Sequence, residues 1–232
     1  MINMESRTFA VDAILFDMDG TLIDSTPGVL SAWQTWSEKY NLGDGLEMAH
    51  KTHGRRLHDT LQEYCRINDP HKLMDEVNLF EDEVIRGGPK ALPGAVELLS
   101  KLMSLPEAEK RWTIVTSASN KYAPAALERA GIPVPPVGVI TANDVVECKP
   151  HPAPYLAGAA LLSTDPKKCL VVEDAISGLN AGHAAKALTL AVCTSTKREL
   201  LLASAKPDFI VADLSSVKID WVDGRILVTL TS

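Results

Sequence analysis

The chain has 232 residues, 46% of them hydrophobic and 23% charged, and a net charge of −7. This length and balance suit an ordinary globular protein of one or two domains with a substantial core. The acidic balance argues against a nucleic-acid surface, and no apolar run approaches the roughly 18 residues of a membrane span.

The first predicted strand covers residues 10–17. It carries the uninterrupted apolar run Ala13-Ile14-Leu15-Phe16 and ends in Asp17-Met18-Asp19-Gly20-Thr21. Such a run reads as a parallel strand covered on both faces, with its acids at the carboxyl end, where open α/β sheets bind ligands. Gly20 lets the chain turn, and Thr21 brings a hydroxyl close to both acids. An Asp-Gly turn after a strand is common by itself, so the rest of the chain must decide whether these acids do chemistry.

Asp24-Ser25-Thr26-Pro27 supplies a helix cap and a starting proline. Val29, Leu30, Trp33 and Trp36 then recur at helical spacing, and both tryptophans read as core. Further helical pattern covers residues 57–66 and 71–86, and Gly87-Gly88-Pro89 closes this strand-poor region with a bend. From Pro93 the pattern alternates. Residues 95–105 read as helix, 112–116 as strand, 122–130 as helix ended by Gly131, and 138–141 as a short strand. Residues 154–162 read as helix, 170–173 as strand, 178–187 as helix, and 189–193 and 209–211 as strands. Residues 217–222 and 225–230 flank Asp223-Gly224 and read as a β-hairpin that extends the sheet edge or stands apart. The expected fold is α/β: a doubly wound parallel sheet with an inserted helical cap. Residues 1–26 and 89–232 would form the core and 27–88 the cap.

Three more segments carry the chemistry a phosphate site needs. Thr116-Ser117 ends the strand at 112–116 with two hydroxyls. Lys149 stands before Pro150. Glu173-Asp174 closes another apolar strand with two acids. Together they offer a nucleophile, a phosphate-oxygen donor, a fixed cation and a metal anchor. Ser117 is the expected phosphate contact and Thr116 the alternative. Asp17, Asp19, Glu173 and Asp174 must crowd together, and at 4 Å each like-charged pair costs about 4 kcal/mol even at an effective dielectric of 20. A hard divalent cation with oxygen ligands, Mg²⁺, answers that repulsion. Lys149 would neutralise a further charge.

These four segments, in this order, resemble the motifs of the haloacid dehalogenase-like superfamily. His53-Gly54-Arg55-Arg56, Leu92-Pro93-Gly94-Ala95-Val96, Ile140-Thr141-Ala142-Asn143-Asp144-Val145, Lys149-Pro150-His151-Pro152, Pro154-Tyr155-Leu156 and Glu173-Asp174-Ala175 with Gly178 resemble the fungal glycerol-phosphate and 2-deoxyglucose-6-phosphate phosphatases. The resemblance implies a Rossmann-like core with a mobile cap and an aspartyl-phosphate mechanism. It implies Asp17 as nucleophile, Asp19 as general acid and base, and a metal contact through the Asp19 backbone carbonyl. It also implies that the amides of Met18 and Ala118 point at phosphate. Substrate choice is expected from the cap loop, with His53 and Gly54 near the substrate and Arg56 favoured over Arg55 as its reader. Residue 55 can be aromatic in the glycerol-phosphate enzymes.

The expected activity is therefore Mg²⁺-dependent hydrolysis of a small polyol or sugar phosphate. The alternatives are a sugar-phosphate mutase, disfavoured by Thr21 where mutases commonly carry an aliphatic residue, a dehalogenase, and a non-enzymatic binding protein. No histidine pair has metal-ligand spacing. Cys65, Cys148, Cys169 and Cys193 are widely separated, as expected of reduced thiols. Residues 1–8 carry no apolar signal core, so a cytoplasmic monomer with neither nucleic-acid nor membrane partners is expected.

Overall fold

The computed structural model describes residues 6–231, so most of the N-terminal stretch read above for a signal core lies outside the described residues. The first predicted strand is two strands. β1 (Arg7–Val11) and β2 (Ala13–Phe16) flank Asp12 and belong to different sheets. A charged residue in the middle of the apolar stretch is where the chain passes from one sheet to the other.

β2 is buried at every residue and lies between β5 (Trp112–Val115) and β7 (Cys169–Glu173), parallel to both. β6 (Val139–Ile140), β8 (Leu188–Val192) and β9 (Phe209–Val211) complete a six-stranded sheet ordered β6-β5-β2-β7-β8-β9. Every pairing in it is parallel. Side chains alternate across the pleat. Ile14 and Phe16 join the core that holds Leu99 of α5 (Ala95–Ser104) and Leu127 of α6 (Tyr122–Ala130). Ala13 and Leu15 join the core that holds Tyr155 of α7 (Ala153–Leu161) and Ala181 of α8 (Ile176–Ala184). Two cores on the two faces of one strand explain why its sequence is apolar without interruption. A further helix, α9 (Arg198–Ser204), is absent from the sequence reading and buries Leu201.

Between β2 and this alternating region come four helices: α1 (Thr26–Tyr40), α2 (Gly45–Thr52), α3 (Leu57–Cys65) and α4 (Pro70–Arg86). Trp33 and Trp36 of α1 meet Phe80 of α4 edge-on, with ring centroids 5.1 and 5.0 Å apart, and all three are buried. Burial of each such ring contributes a few kcal/mol. Within the expected capping segment, the Asp24 carboxylate accepts the Thr26 amide at 3.0 Å and Pro27 lies in the first turn of α1, while the Ser25 side chain makes no capping bond. The sequence reading passes over α2, although Asp44 caps it by accepting the Glu47 amide at 3.0 Å. The chain enters and leaves the four helices through a two-stranded antiparallel ribbon, β3 (Ile23–Asp24) against β4 (Lys90–Ala91).

The C-terminal hairpin forms as β10 (Val217–Val222) and β11 (Arg225–Leu230). Asp223 and Gly224 both take positive φ, 51° and 78°, as a tight two-residue turn requires. It does not extend the parallel sheet. β11 pairs with β1, giving a separate three-stranded antiparallel sheet. Phe9 of β1 stacks on Phe209 of β9 at 4.1 Å and ties the two sheets together. No helix among the described residues is long and apolar enough to cross a membrane.

Candidate active site

Parallel strands deliver their carboxyl ends to one edge of the sheet. Asp17 follows β2, Thr116 and Ser117 follow β5, and Glu173 closes β7, with Asp174 next. The Asp17 amide donates to the Val172 carbonyl at 2.9 Å, so the ladder fixes the two acidic ends against each other. Carboxylate oxygens of Asp17, Glu173 and Asp174 lie within 4.8 Å of one another, all buried. Among the described residues this is the one acidic, histidine or cysteine group dense enough to hold a metal ion.

Lys149 enters this cluster as its buried cation. Its Nζ donates to Asp17 Oδ1 at 2.5 Å, to Glu173 Oε1 at 2.8 Å and to the Val115 carbonyl at 3.0 Å. The same nitrogen lies 5.0 Å from the centroid of the Tyr155 ring, whose hydroxyl donates to Glu173 Oε1 at 2.9 Å. Glu173 Oε2 accepts the amides of Asp174 and Ala175. Both oxygens of Glu173 are thus engaged, whereas no hydrogen bond to Asp17 Oδ2 occurs among the described residues.

Gly20 takes φ 88°, and a Cβ there would fall 2.1 Å from Asp174 Oδ2, so only glycine lets the turn pass this close to the acid. Thr21 is fully buried, and its hydroxyl donates to Asp174 Oδ1 at 3.2 Å. The sequence places the Thr21 hydroxyl close to Asp17 and Asp19, as a candidate substrate contact; in the structure it bonds to Asp174. Asp19 is only half-buried, and its Oδ1 accepts the Tyr122 hydroxyl at 2.8 Å.

The cap loop reaches the same edge. His53 Nε2 pairs with Asp174 Oδ2 at 2.8 Å. The Gly54 carbonyl accepts the Ser117 hydroxyl at 3.2 Å. Gly54 has φ 72°, and a Cβ there would meet Ser177 Oγ at 2.5 Å and Ala175 Cβ at 2.7 Å, so the loop lies flat on the core. Arg56, expected to read the substrate, lies against a core loop. Its guanidinium donates to the carbonyls of Ala142 at 2.8 Å, Val145 at 3.0 Å and Val146 at 3.3 Å. A planar fork of donors suits this clasp on a core loop, and the three bonds from Nη1 and Nη2 tie the cap loop to the core. Arg55 pairs with Glu63 inside the cap at 2.5 Å. The Ala118 amide, which the resemblance aims at phosphate, donates here to Thr116 Oγ1 at 3.1 Å.

Three residues without a role in the sequence reading join the site. Tyr122 holds Asp19, Tyr155 holds Glu173, and Glu81 of α4 accepts the Ser119 hydroxyl at 2.6 Å and its amide at 3.2 Å. Tyr155 lies in a stretch already singled out for family resemblance. Tyr122 opens the helix that follows the Thr116-Ser117 turn. Glu81 is one acid among several on α4, and no local pattern distinguishes it.

The electrostatics share one direction. Burial pushes the Asp17 carboxyl well above its ordinary value, and neighbouring Glu173 adds to this against the pull of Lys149. Burial also raises Asp19, against the hydroxyls of Ser25 and Tyr122, and raises Glu81. Burial alone would lower His53, but the bond to Asp174 and the surrounding acids hold it at about 9. Each group therefore binds its proton more tightly folded than unfolded, and stability must fall as pH rises. The His53 contribution is fully present below its ordinary value of 6.5 and is lost as pH rises through about 9. In chelating buffer, Tm is expected to fall steadily across that window when followed by calorimetry. A Tm that rose over the same range would contradict this charge arrangement.

Residues 11–186 match the family model of the haloacid dehalogenase-like hydrolases. Hexitol phosphatase A of Escherichia coli strain K12 is 39% identical over 180 residues, covering 77% of this chain and 81% of the relative. Glycerol-1-phosphate phosphohydrolase 2 of Saccharomyces cerevisiae is 34% identical over 220 residues, covering 90% and 85%. The crystal structure of a hydrolase from Pseudomonas syringae superposes with a TM-score of 0.74 at 25% identity, over 88% of this chain and 94% of that one. A β-phosphoglucomutase from Clostridium difficile shares the fold, with a TM-score of 0.73 at 20% identity over 90% and 93%. With its acids at the ends of parallel strands and a family model spanning most of its length, this chain belongs to the haloacid dehalogenase-like hydrolases.

Proposed function

We propose that the chain is a phosphoric monoester hydrolase that cleaves a small polyol or sugar phosphate through an aspartyl-phosphate intermediate. The observation that carries this reading is the Asp17 carboxylate at the end of β2, gripped by buried Lys149 at 2.5 Å and set beside Glu173 and Asp174. The relatives named as hexitol and glycerol-1-phosphate phosphatases support the substrate class.

Asp17 attacks phosphorus and the ester P–O bond breaks. Asp19 gives its proton to the leaving alkoxide. Burial, which raises the Asp19 carboxyl, favours that protonated start. Asp19 then takes a proton from the water that attacks the phospho-Asp17 bond, and inorganic phosphate leaves. Ser25 and Tyr122 hold Asp19 in place for both steps. Ser117, with Thr116 beside it, lies at the strand end where phosphate oxygens would sit. Residues 27–88 act as the cap that shuts the site, with His53, Gly54 and Arg56 on its docking face. All these groups come from one chain, so a monomer suffices, and the free thiols suit a reducing cytosol.

The donor set fits Mg²⁺, being carboxylate oxygens from Asp17 and Asp174 with Glu173 in the same cluster. Asp17, Asp174 and the Asp19 carbonyl would hold the ion. When bound, it supplies positive charge against the phosphate and the clustered acids. Glu173, with both oxygens engaged, serves as the counter-charge that orients Lys149.

The test is release of inorganic phosphate from glycerol phosphates, hexitol phosphates, 2-deoxyglucose 6-phosphate and a small aryl phosphate. Activity should vanish in EDTA and return with Mg²⁺, and Asp174→Ala should raise the Mg²⁺ requirement or abolish activity. Full activity in chelator would refute the metal assignment. A rearranged hexose phosphate in place of free phosphate would favour the mutase reading.

Arg56→Ala should lower kcat/KM to a similar degree for a polyol phosphate and for the aryl phosphate, because it weakens cap docking for both. A loss confined to the polyol phosphate would return Arg56 to the substrate.

A further inference from the structure

At the edge of the parallel sheet opposite Asp17, a cavity of about 420 Å³ is lined by Asp12, Arg111, Lys168, Gly224 and Arg225. Asp12, Arg111 and Lys168 stand directly before β2, β5 and β7, and backbone bonds lock them together. The Asp12 amide donates to the Lys168 carbonyl at 2.8 Å, and the Ile14 amide to the Arg111 carbonyl at 2.9 Å. The turn of the C-terminal hairpin brings Gly224 and Arg225 to the same cavity.

Three cations here face a single carboxylate. Arg225 Nε donates to Asp12 Oδ1 at 2.9 Å, and its Nη2 to the Ala10 carbonyl at 2.8 Å. Lys168 reaches Asp12 only at 3.5 Å. Arg111 has no carboxylate within 4.0 Å among the described residues. Two positive charges are left in excess within one concavity, on a chain whose net charge is −7. Cations also offset the carbonyl ends of helices that finish at this edge. That accounts for basic residues here, but not for three converging on one cavity with one acid. A concave wall of one sign concentrates the field on a counter-ion.

We propose that this cavity is an anion site, separate from the catalytic edge, that takes a small phosphate-bearing dianion. Its volume falls in the range of roughly 300–1,000 Å³ that small-molecule sites occupy. Arg111 presents an open guanidinium fork that matches a phosphate edge with two charge-assisted bonds. Lys168 adds a point charge, and Arg225, already pinned by Asp12 and Ala10, closes the far wall. The hairpin, which contributes nothing to the catalytic edge, thereby has a ligand-facing use.

The test uses the full ¹⁵N-labelled chain, titrated with inorganic phosphate at constant ionic strength. The Gly224 and Arg225 amides report the cavity, and the Gly54 and Ala118 amides report the catalytic edge. Gly224 and Arg225 are expected to shift saturably. In Arg111→Gln/Lys168→Gln the apparent affinity read there should weaken about ten-fold or more, about 1.4 kcal/mol. Turnover of the aryl phosphate by this variant should match the wild type. Lys168 is exposed and Arg111 half-buried, and an unchanged Tm verifies the fold. Absent shifts at Gly224 and Arg225, or an identical titration in the double variant, would overturn the proposal. Either result leaves the catalytic reading untouched, because Gly54 and Ala118 are followed separately.

Discussion

Asp17→Asn should reduce turnover by about 10⁴- to 10⁶-fold, the scale seen when a covalent nucleophile is removed. The substitution keeps the side-chain shape but removes the attacking oxygen's charge. The protein should still fold, because Asp17 stands beyond the end of β2 and the ladder bond it makes is through its backbone amide to Val172. Lys149 keeps Glu173 and the Val115 carbonyl as partners. The amide also relieves repulsion against Glu173, the strongest charge pushing Asp17 upward after burial itself. Steady-state phosphate release and circular dichroism on the same sample decide the matter. Substantial turnover by a homogeneous Asp17→Asn protein would sink the nucleophile assignment, and loss of fold would show that the acid is structural.

Lys149→Met is expected to damage both activity and stability. The side chain is 1% exposed and is the cation between Asp17 and Glu173. Removing one partner from a buried ion pair leaves an uncompensated charge at a cost of about 3–5 kcal/mol. In a chain of this size each kcal/mol lowers Tm by roughly 2–4 °C, so a fall on the order of 10 °C should appear in chelating buffer. The deficit has a sign in pH. Without Lys149, Asp17 is driven further upward, so the folded state binds its proton more tightly still. The loss should therefore shrink as the buffer is made more acidic. Methionine fills much of the lysine's volume, which separates the charge effect from a packing defect. A variant with wild-type Tm and wild-type activity would remove Lys149 from the site.

The parallel sheet was legible because its strands are short, apolar without interruption and separated by helical pattern. The acids and hydroxyls were legible for the same reason: they sit at or next to strand ends, where position in the chain dictates position in space, whereas Lys149 lies in the loop between β6 and α7 and was singled out by its place before Pro150 and in the motif order. Asp12 shows the limit. It was passed over inside an apparently single strand, and only the partnership of β1 with β11 reveals two sheets. The hairpin turn at Asp223-Gly224 was readable, but whether it would extend the sheet was not, since pairing with β1 is a contact between the two ends of the chain. Arg56 marks another boundary. Sequence identifies a cation in a cap loop, but the carbonyls of Ala142, Val145 and Val146 that it grips come together only when the cap lies on the core. Tyr122 and Glu81 were invisible for that reason too, each meeting its partner across a tertiary contact.

The ribbon of β3 and β4 sets how this architecture can diverge. The chain leaves the core and returns to it as paired neighbours, Ile23 beside Ala91 and Asp24 beside Lys90. Such a doorway itself fixes neither the length nor the fold of what lies between its posts; the further constraints come from the loop contacts of His53, Gly54 and Arg56 with the core. A different helical insert with the same narrow footing could be exchanged there without shifting the register of a single core strand. The helical insert and the core sheet can therefore change at different evolutionary rates within one gene.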